Sequence, residues 1–215
     1  MADTPYHRDD LANDLVEAAL RIANKVGIAG VTLRSVARSA GVSQTAPYRH
    51  FKAGHSELMA AVAADGTEKL HDVLERAALQ AASSSRERVL NVAEAYLRFA
   101  LEQPQRYRMM SERAEPSSRR SGKGRARDPG LETYERLADA KAYAFVLLVD
   151  IMEVARSAGD FRNHPPDRMA HALSALLHGV SLQFIDEHLR LGLDRAQALR
   201  RVRELVGVLL DGIAQ

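Results

Sequence analysis

The sequence predicts an all-α protein. Apolar residues recur at steps of three and four over most of the 215 residues, which is the spacing of one helix face. Alternation at period two is not sustained anywhere, so no strand is expected. Hydrophobic residues make up 46% and charged residues 27% of the chain, the balance of a folded globular protein. We expect about nine helices, with a small three-helix domain over residues 1–55 and a larger helical bundle over 56–215.

The first two helices are marked by their ends. Apolar residues spaced three and four apart define a helix from about Leu11, and Gly27 ends it because glycine readily closes a helix. Thr32 can cap the free amides of a short helix over 33–40, since its hydroxyl accepts from a backbone N–H.

A second short helix follows after a tight turn. Gly41 ends the helix over 33–40 and can adopt the positive φ that a sharp turn requires. Ser43 is the predicted N-cap of a helix over 44–51. Pro47 supports this boundary, because proline is tolerated only near the start of a helix. Two short helices around a glycine turn indicate a helix-turn-helix.

The second half of the chain contains longer helices and one segment of different composition. Residues 116–130 contain two prolines, three glycines and almost no apolar residue, which favours a flexible, solvated loop. We expect this loop to lie far from the helix-turn-helix. Its basic residues are Arg119, Arg120, Lys123, Arg125 and Arg127. The longer helices are predicted over 56–82, 86–103, 131–158, 166–191 and 194–213.

The charges are distributed unevenly. Residues 18–56 contain no Asp or Glu, although an even spread of the 28 acidic residues would place about five there. A surface without carboxylates creates the positive field that a polyanion requires, unless the gap is chance clustering. The basic residues in this window are Arg21, Lys25, Arg34, Arg38, Arg49 and Lys52.

The second motif helix has side chains suited to DNA. Glutamine can bond adenine through two hydrogen bonds, threonine can contact a base, and tyrosine, arginine and histidine suit phosphate. The alternative is a purely structural helical hairpin, which leaves the absence of carboxylates unexplained. The residues expected to face outward are Gln44, Thr45, Tyr48, Arg49 and His50, whereas Phe51 should face inward.

Residues 27–62 resemble the DNA-binding domain of the tetracycline-repressor (TetR) family of bacterial regulators. The resemblance is carried by GIAGVTLRSVARSAGVSQTAPYRHFK followed by ELMAAV. It implies phosphate contacts for Thr32 and Arg34 and base contacts for Ser43, Gln44 and Thr45. It also implies backbone contacts for Tyr48, His50 and Lys52.

Two features depart from the family pattern. Pro47 replaces the more usual leucine, and the connection from Lys52 to Leu58 is one residue longer than usual. No phosphate contact is therefore assigned to His55. Residues 95–110 and 176–180 resemble a narrower subgroup named for a Trp-His-Gly motif, with Leu177 in place of the tryptophan.

The last two predicted helices have broad apolar surfaces. The family resemblance implies a twofold interface between subunits built from them, and a dimer can read two DNA half-sites. The alternative is that both helices are interior. The candidate interface residues are Leu176, Val180, Phe184, Leu199, Val202, Val206, Leu209 and Ile213.

A regulator of this architecture houses a small effector in its larger domain. Aromatic and methionine side chains combine apolar surface with a polar group or an adaptable shape. Ordinary core packing is the favoured alternative for each residue taken individually, and the effector is not identified. The candidate pocket residues are Tyr96, Phe99, Tyr107, Met110, Phe145, Leu148 and Met152.

Several classes of protein are excluded or not expected. The chain has no cysteine, which excludes disulfides and thiolate sites. Its longest apolar run has eight residues, whereas a membrane span needs about 20, and its first residues do not resemble a secretory signal. His171 and His178 share a helix face, but Asp167 and Glu187 are unconvincing as further ligands, so no metal or other cofactor is expected. We expect a cytoplasmic protein without a membrane partner.

The leading hypothesis is a ligand-responsive repressor that binds a palindromic operator in double-stranded DNA as a homodimer and is released by a small-molecule effector. The second is a DNA-binding activator or architectural protein that needs no ligand. An enzyme is the third, and no Ser-His-Asp arrangement, phosphate-binding loop or carboxylate pair supports it.

Overall fold

The structure, a computed structural model, describes residues 8–112, 130–160, 164–186 and 192–213. These residues form nine α-helices and one short 3-10 turn, with no strand among them. The all-α prediction is confirmed. The predicted basic loop falls almost wholly on residues 113–129, outside the described ranges.

The first three helices lie in the region expected for the small domain. Helix α1 spans Arg8–Val26, and a 3-10 turn over Ile28–Gly30 follows Gly27, whose φ is +85°. Helix α2 spans Leu33–Ser39 and α3 spans Ala46–His50.

The remaining helices are longer, apart from one. They are α4 (His55–Leu79), α5 (Ser85–Glu102), α6 (Pro104–Ser111), α7 (Leu131–Ser157), α8 (Pro166–Ile185) and α9 (Arg195–Ile213). The predicted bounds agree within a few residues except for α8. That helix ends at Ile185, and the last part of its predicted range, 187–191, lies outside the described residues.

Helix α6 was not predicted. Pro104 was expected only to stop the preceding helix, and it does follow the end of α5. It is also the first residue of α6, because proline lacks the N–H that a first helical residue leaves unpaired. The same residue therefore ends one helix and begins the next.

The chain divides into two compact units. Unit 1 contains residues 1–66 and 105–139, and unit 2 contains residues 67–104 and 140–215. The divisions fall inside α4, after Pro104 at the first residue of α6, and inside α7. The predicted boundary between residues 55 and 56 concerns functional domains, and it stays a prediction.

Unit 1 has an apolar core in which α1, α2, α6 and the start of α4 take part. Met109 of α6 belongs to this core, although the sequence assigned it to the larger domain. The principal buried residues are Leu15, Leu20, Val31, Val36, Phe51, Leu58, Val62 and Met109. A second cluster joins Ala60, Ala63 and Ala64 of α4 to Leu137 of α7.

Arg106 forms an ionic cluster in unit 1. Its side chain is 9% exposed and donates to Glu17 Oε1 of α1 at 2.9 Å and to Asp65 Oδ2 of α4. A Cβ added at Gly66 would lie 3.3 Å from Arg106 Cγ, so the two helices approach closely there. The cluster therefore ties α6 to both α1 and α4.

Unit 2 is built around α5, which packs against α8 and α9. Arg203 of α9 crosses to α5, where it donates to Glu87 Oε1 at 2.7 Å and to Glu94 Oε2 at 3.3 Å. A further ion pair between the same two helices joins Arg86 of α5 to Asp211 of α9. The buried residues include Leu74, Val89, Val92, Leu97, Met152, Leu173, Leu177 and Leu210.

Candidate nucleic-acid interface

Helix α2 begins at a complete capping box. The Ser35 N–H donates to Thr32 Oγ1 at 3.0 Å, and the Thr32 N–H donates to Ser35 Oγ at 2.9 Å. These bonds satisfy amides that the first helical turn leaves without partners. The predicted Thr32 cap is therefore confirmed.

The turn after α2 follows the predicted geometry. Gly41 has φ +70°, and the Val42 N–H donates to the Ala37 carbonyl at 3.0 Å. Val36 and Ala37 are fully buried, and Ala40 packs partly against the same core. Small buried side chains allow α2 to cross its neighbours closely.

Helix α3 is shorter than predicted. It begins at Ala46 rather than Gln44, and Thr45 occupies the N-cap position. The predicted Ser43 cap is wrong, because α3 has no side-chain cap and the Ser43 hydroxyl instead lies 3.2 Å from Thr45 Oγ1. Proline is tolerated only in the first turn of a helix, so Pro47 requires α3 to begin close to residue 47.

The residues after α3 fix it to the core of unit 1. Phe51 is 3% exposed, and the Gly54 N–H donates to its carbonyl at 3.0 Å. Gly54 has φ +79°, a conformation that favours glycine. His55 Nε2 lies 3.0 Å from the Val31 carbonyl, so this ring holds the backbone of unit 1.

Glu57 was missed in the sequence, although it is the first acidic residue after the window without carboxylates. Its side chain is 4% exposed, and Oε2 accepts from the Ala53 N–H at 2.7 Å. The carboxylate is therefore buried against the chain that leaves α3 and contributes no exposed negative charge. The signal that could have found it is an acidic residue in the first turn of a helix.

The predicted DNA-contacting side chains share one property, which is exposure. Tyr48 is 57% exposed, unusually high for a large ring, and His50 is half-buried. The other side chains predicted to contact DNA are exposed and take no part in the apolar core. The exposed set is Thr32, Arg34, Ser43, Gln44, Thr45, Tyr48, Arg49 and Lys52.

The basic side chains of the window are also exposed, and one has a structural contact. Arg21 Nη2 donates to the Ser39 carbonyl at 3.5 Å, at the end of α2. Arg34, Arg38, Arg49 and Lys52 add positive charge around α2 and α3. The surface therefore combines hydrogen-bonding groups with a positive potential, as DNA recognition requires.

The residues that flank the basic loop lie in unit 1. The loop was expected in the larger domain, far from the helix-turn-helix. Met109 on one side belongs to the core of unit 1, and Thr133 on the other side contacts Glu57. The flanking residues therefore lie in the same unit as α3, while the loop itself is outside the described residues.

Comparison with known families supports this interpretation. Residues 15–62 match the family described as bacterial regulatory proteins, tetR family. Residues 89–206, more than half of the chain, match the family described as tetracyclin repressor-like, C-terminal domain. The chain belongs to the TetR family.

Solved structures agree with the assignment. A Rhodococcus sp. RHA1 protein of unknown function is similar at 28% identity and TM-score 0.73, with 99% of this chain and 100% of that chain covered. A tetR-family regulatory protein from Rhodococcus RHA1 has 19% identity and TM-score 0.66, with 94% and 96% covered. FadR from Bacillus subtilis, solved with stearoyl-CoA, has 11% identity and TM-score 0.66, with 94% and 97% covered. No functionally curated protein matches the sequence significantly.

The TetR assignment identifies the helix-turn-helix as a DNA-binding domain and the chain as a transcription regulator. Regulators of this family are generally DNA-binding proteins rather than enzymes. The narrower resemblance to the subgroup with a Trp-His-Gly motif stays a prediction.

The predicted pocket residues of this TetR-family chain divide between the two units. Tyr107 and Met110 belong to unit 1, where Tyr107 is fully buried and Met110 packs against α4. The other five belong to unit 2: Tyr96, Phe99, Phe145, Leu148 and Met152. Unit 2 by itself therefore offers five of the seven candidates.

A groove of about 350 Å³ lies between the end of α4 and α5 in unit 2. Phe99 lines it together with the charged residues Arg76, Glu94, Arg98 and Glu102. Away from the groove, the ring of Phe145 packs on that of His171, with centroids 4.3 Å apart.

The predicted dimer surface is partly internal. Val180, Val202 and Val206 are buried within the single chain, as interior helices would have them, and the dimer surface itself stays a prediction. The apolar stripe of α9 faces inward because α9 packs along α5. Leu176, Phe184, Leu199 and Leu209 are half-buried, and the side chain of Ile213 lies outside the described residues.

Other residues of α8 and α9 are exposed, although they are not among the candidate interface residues. Val208 of α9 is 71% exposed. A Cβ added at Gly179 or Gly212 would meet no atom within 4 Å, so the surface is open at both positions. Desolvation lowers the pKa of His178, which keeps this neighbouring ring neutral at pH 7.

Two further properties concern the described part of the chain. Every helix there is too short or too polar to span a lipid bilayer. Within the same residues, His, Asp and Glu side chains do not form a group of three that could hold a metal ion.

Proposed function

We propose that this TetR-family chain is a ligand-responsive repressor. It binds a palindromic operator as a homodimer and dissociates when a small molecule occupies unit 2. The observation that carries the proposal is the exposed polar and basic surface of α2 and α3, mounted on a core anchored by Phe51. Such a surface has no packing role, and its residue types are those that bind bases and phosphates.

The test of DNA binding is selection of bound fragments from genomic DNA, followed by gel retardation at low salt. We expect recovery of fragments with two half-sites about 34–36 Å apart, or a multiple of that spacing. Failure of the protein to retard any fragment, including DNA upstream of its own gene, would contradict the proposal.

The dimer is proposed to form through the exposed residues of α8 and α9. Val208 and the open positions Gly179 and Gly212 provide apolar and small residues for a self-complementary contact. The substitution Val208→Glu should shift the protein from dimer to monomer in sedimentation equilibrium. Leu79→Glu is the matched control, because Leu79 is 79% exposed on a different helix. A wild-type protein that remains monomeric at high concentration would contradict this step.

The effector is proposed to bind in unit 2, near the five candidates of that unit. Ser181 of α8 points to a polar contact, because its hydroxyl is fully buried and lacks a hydrogen-bond partner among the described residues. An unpaired buried hydroxyl is costly and is often explained by a ligand or water. Small molecules that raise the melting temperature and release the retarded DNA would identify the effector. A metabolite panel with no effect on the DNA complex would favour a ligand-independent regulator instead.

A further inference from the structure

Glu57 connects three segments of unit 1. It lies in the first turn of α4, and its Oε2 accepts from the Ala53 N–H in the chain that leaves α3. Its Oε1 accepts from the Thr133 hydroxyl of α7 at 3.1 Å. Both oxygens are therefore used, and the group is 4% exposed. A buried carboxylate depends strongly on such partners.

The start of α7 is shaped to fit this carboxylate. Gly130 has φ +88°, and its carbonyl accepts from the Thr133 N–H at 3.0 Å and the Tyr134 N–H at 3.2 Å. A Cβ added at Gly130 would lie 2.8 Å from Glu57 Cδ and 3.2 Å from Ala53 Cβ. Only glycine fits there, so the backbone before α7 lies directly on Glu57.

The two helices that meet at Glu57 both continue into unit 2. Helix α4 passes from unit 1 to unit 2 after Gly66, and α7 does so after Asp139. Each is one continuous helix. The residues that start them therefore belong with α3, and the residues that end them belong with the proposed effector site.

We propose that Glu57 is the positioning residue that makes α7 and the DNA-reading helix α3 move together. This inference rests on the proposed function, because the coupling through Glu57 would explain how a ligand in unit 2 changes the affinity for DNA. Helix α4 follows α3 directly along the chain. Helix α7 is far from α3 in sequence, and the hydrogen bond from Thr133 to Glu57 links it to the segment after α3. The hydrogen bond adds a directional link to the apolar packing of Leu137 on α4, and a conformational change of α7 is passed to α3 through it. Coupling of this kind is reciprocal, so DNA binding must also alter α7.

The test follows DNA-induced changes in α7 by hydrogen exchange. The probe is the genomic duplex selected with the wild-type protein at low salt. In the wild type, we expect DNA to slow exchange in residues 43–52 and also in residues 140–157. In Thr133→Val, which keeps the shape but removes the donor, slowing should persist at 43–52 and be lost at 140–157.

Matched variants separate coupling from stability. Thr133→Ser retains the hydroxyl and should restore the response at 140–157. Glu135→Gln changes an exposed neighbour on α7 and should leave the response unchanged. Melting curves of all variants are recorded in parallel, because a purely structural role would lower the melting temperature of Thr133→Val without removing the response.

The outcomes distinguish this inference from the proposed function. A wild-type protein that shows no DNA-induced slowing at 43–52 contradicts DNA binding itself. Slowing at 43–52 without any change at 140–157 in the wild type overturns the coupling. A full response at 140–157 in Thr133→Val overturns the role of Glu57 and Thr133.

Discussion

Helices α3 and α9 expose different kinds of surface and are stabilised in different ways. Helix α3 has five residues and turns Tyr48 and Arg49 to solvent, while Phe51 and the chain beyond hold it in place. Helix α9 has 19 residues and buries its own apolar stripe against α5. A helix as short as α3 is marginal by itself in water, so its stability must come from its neighbours.

The difference has a functional consequence. Because residues outside α3 supply its stability, its own side chains are left for recognition. The inward residues of α9 are committed to packing, and only those such as Val208 are available to a partner. Mutations that change stability should therefore fall on the residues that anchor α3, and mutations that change DNA binding should fall on α3 and on the exposed residues next to it.

The largest expected effect is loss of stability when the anchor of α3 is removed. Phe51→Ala should lower the free energy of unfolding by about 3–5 kcal/mol, because it leaves a cavity in the core of unit 1. Urea unfolding measures the change. Val208→Ala on α9 is the control, and at protein concentrations low enough to keep the chain monomeric its free energy of unfolding should stay within about 0.5 kcal/mol of the wild type. Equal losses in the two variants would remove the distinction drawn between α3 and α9.

The second prediction compares the ionic clusters of the two units. Arg106→Ala should lower the free energy of unfolding by roughly 2–3 kcal/mol. This loss is smaller than the loss expected when a fully buried ion pair is broken, because Glu17 remains half exposed. Arg203→Ala on α9 should lower the free energy of unfolding by at most about 1 kcal/mol, because the Arg203 side chain is 29% exposed, whereas that of Arg106 is 9% exposed. Calorimetry on both variants measures the two losses of stability. A larger loss in Arg203→Ala than in Arg106→Ala would contradict the reasoning from burial.

The third prediction concerns two exposed residues near α3. Gln44→Ala should weaken the free energy of DNA binding by about 1–3 kcal/mol at one base pair, and it should change the sequence preference. Lys52→Ala should weaken binding to all sequences and lower the salt slope by about 1, and Tyr48→Ala should also weaken binding to all sequences. Titrations at several salt concentrations with operator and scrambled duplexes measure both effects. Identical behaviour of the Gln44 and Lys52 variants would mean that Gln44 does not read a base.

The smallest effect is expected in unit 2. Ser181→Ala should raise the free energy of unfolding of the free protein by about 1 kcal/mol, because it removes an unpaired buried hydroxyl and introduces a better helix former. The same variant should lose its response to any effector that bonds this hydroxyl. Destabilisation of the free protein would indicate that Ser181 has a structural partner.

Much of the fold followed from local chemistry. The helix ends at Gly27 and Thr32 and the turn at Gly41 were predicted because glycine conformation and capping depend on a few adjacent residues. The Ser43 cap was wrong because two hydroxyl residues compete near one helix start, and the choice depends on how Pro47 packs. Helix α6 was missed because eight residues after a proline carry little periodic signal.

The sequence by itself determined the helical class, the family and the set of polar side chains around α3, because each depends on residues that are neighbours along the chain. Only the tertiary structure decided which face of α9 is buried, where Met109 and Tyr107 belong, and that Glu57 joins α3, α4 and α7. Those outcomes depend on contacts between residues far apart in sequence. Apolar periodicity shows that a helix buries one face, but not which partner covers it.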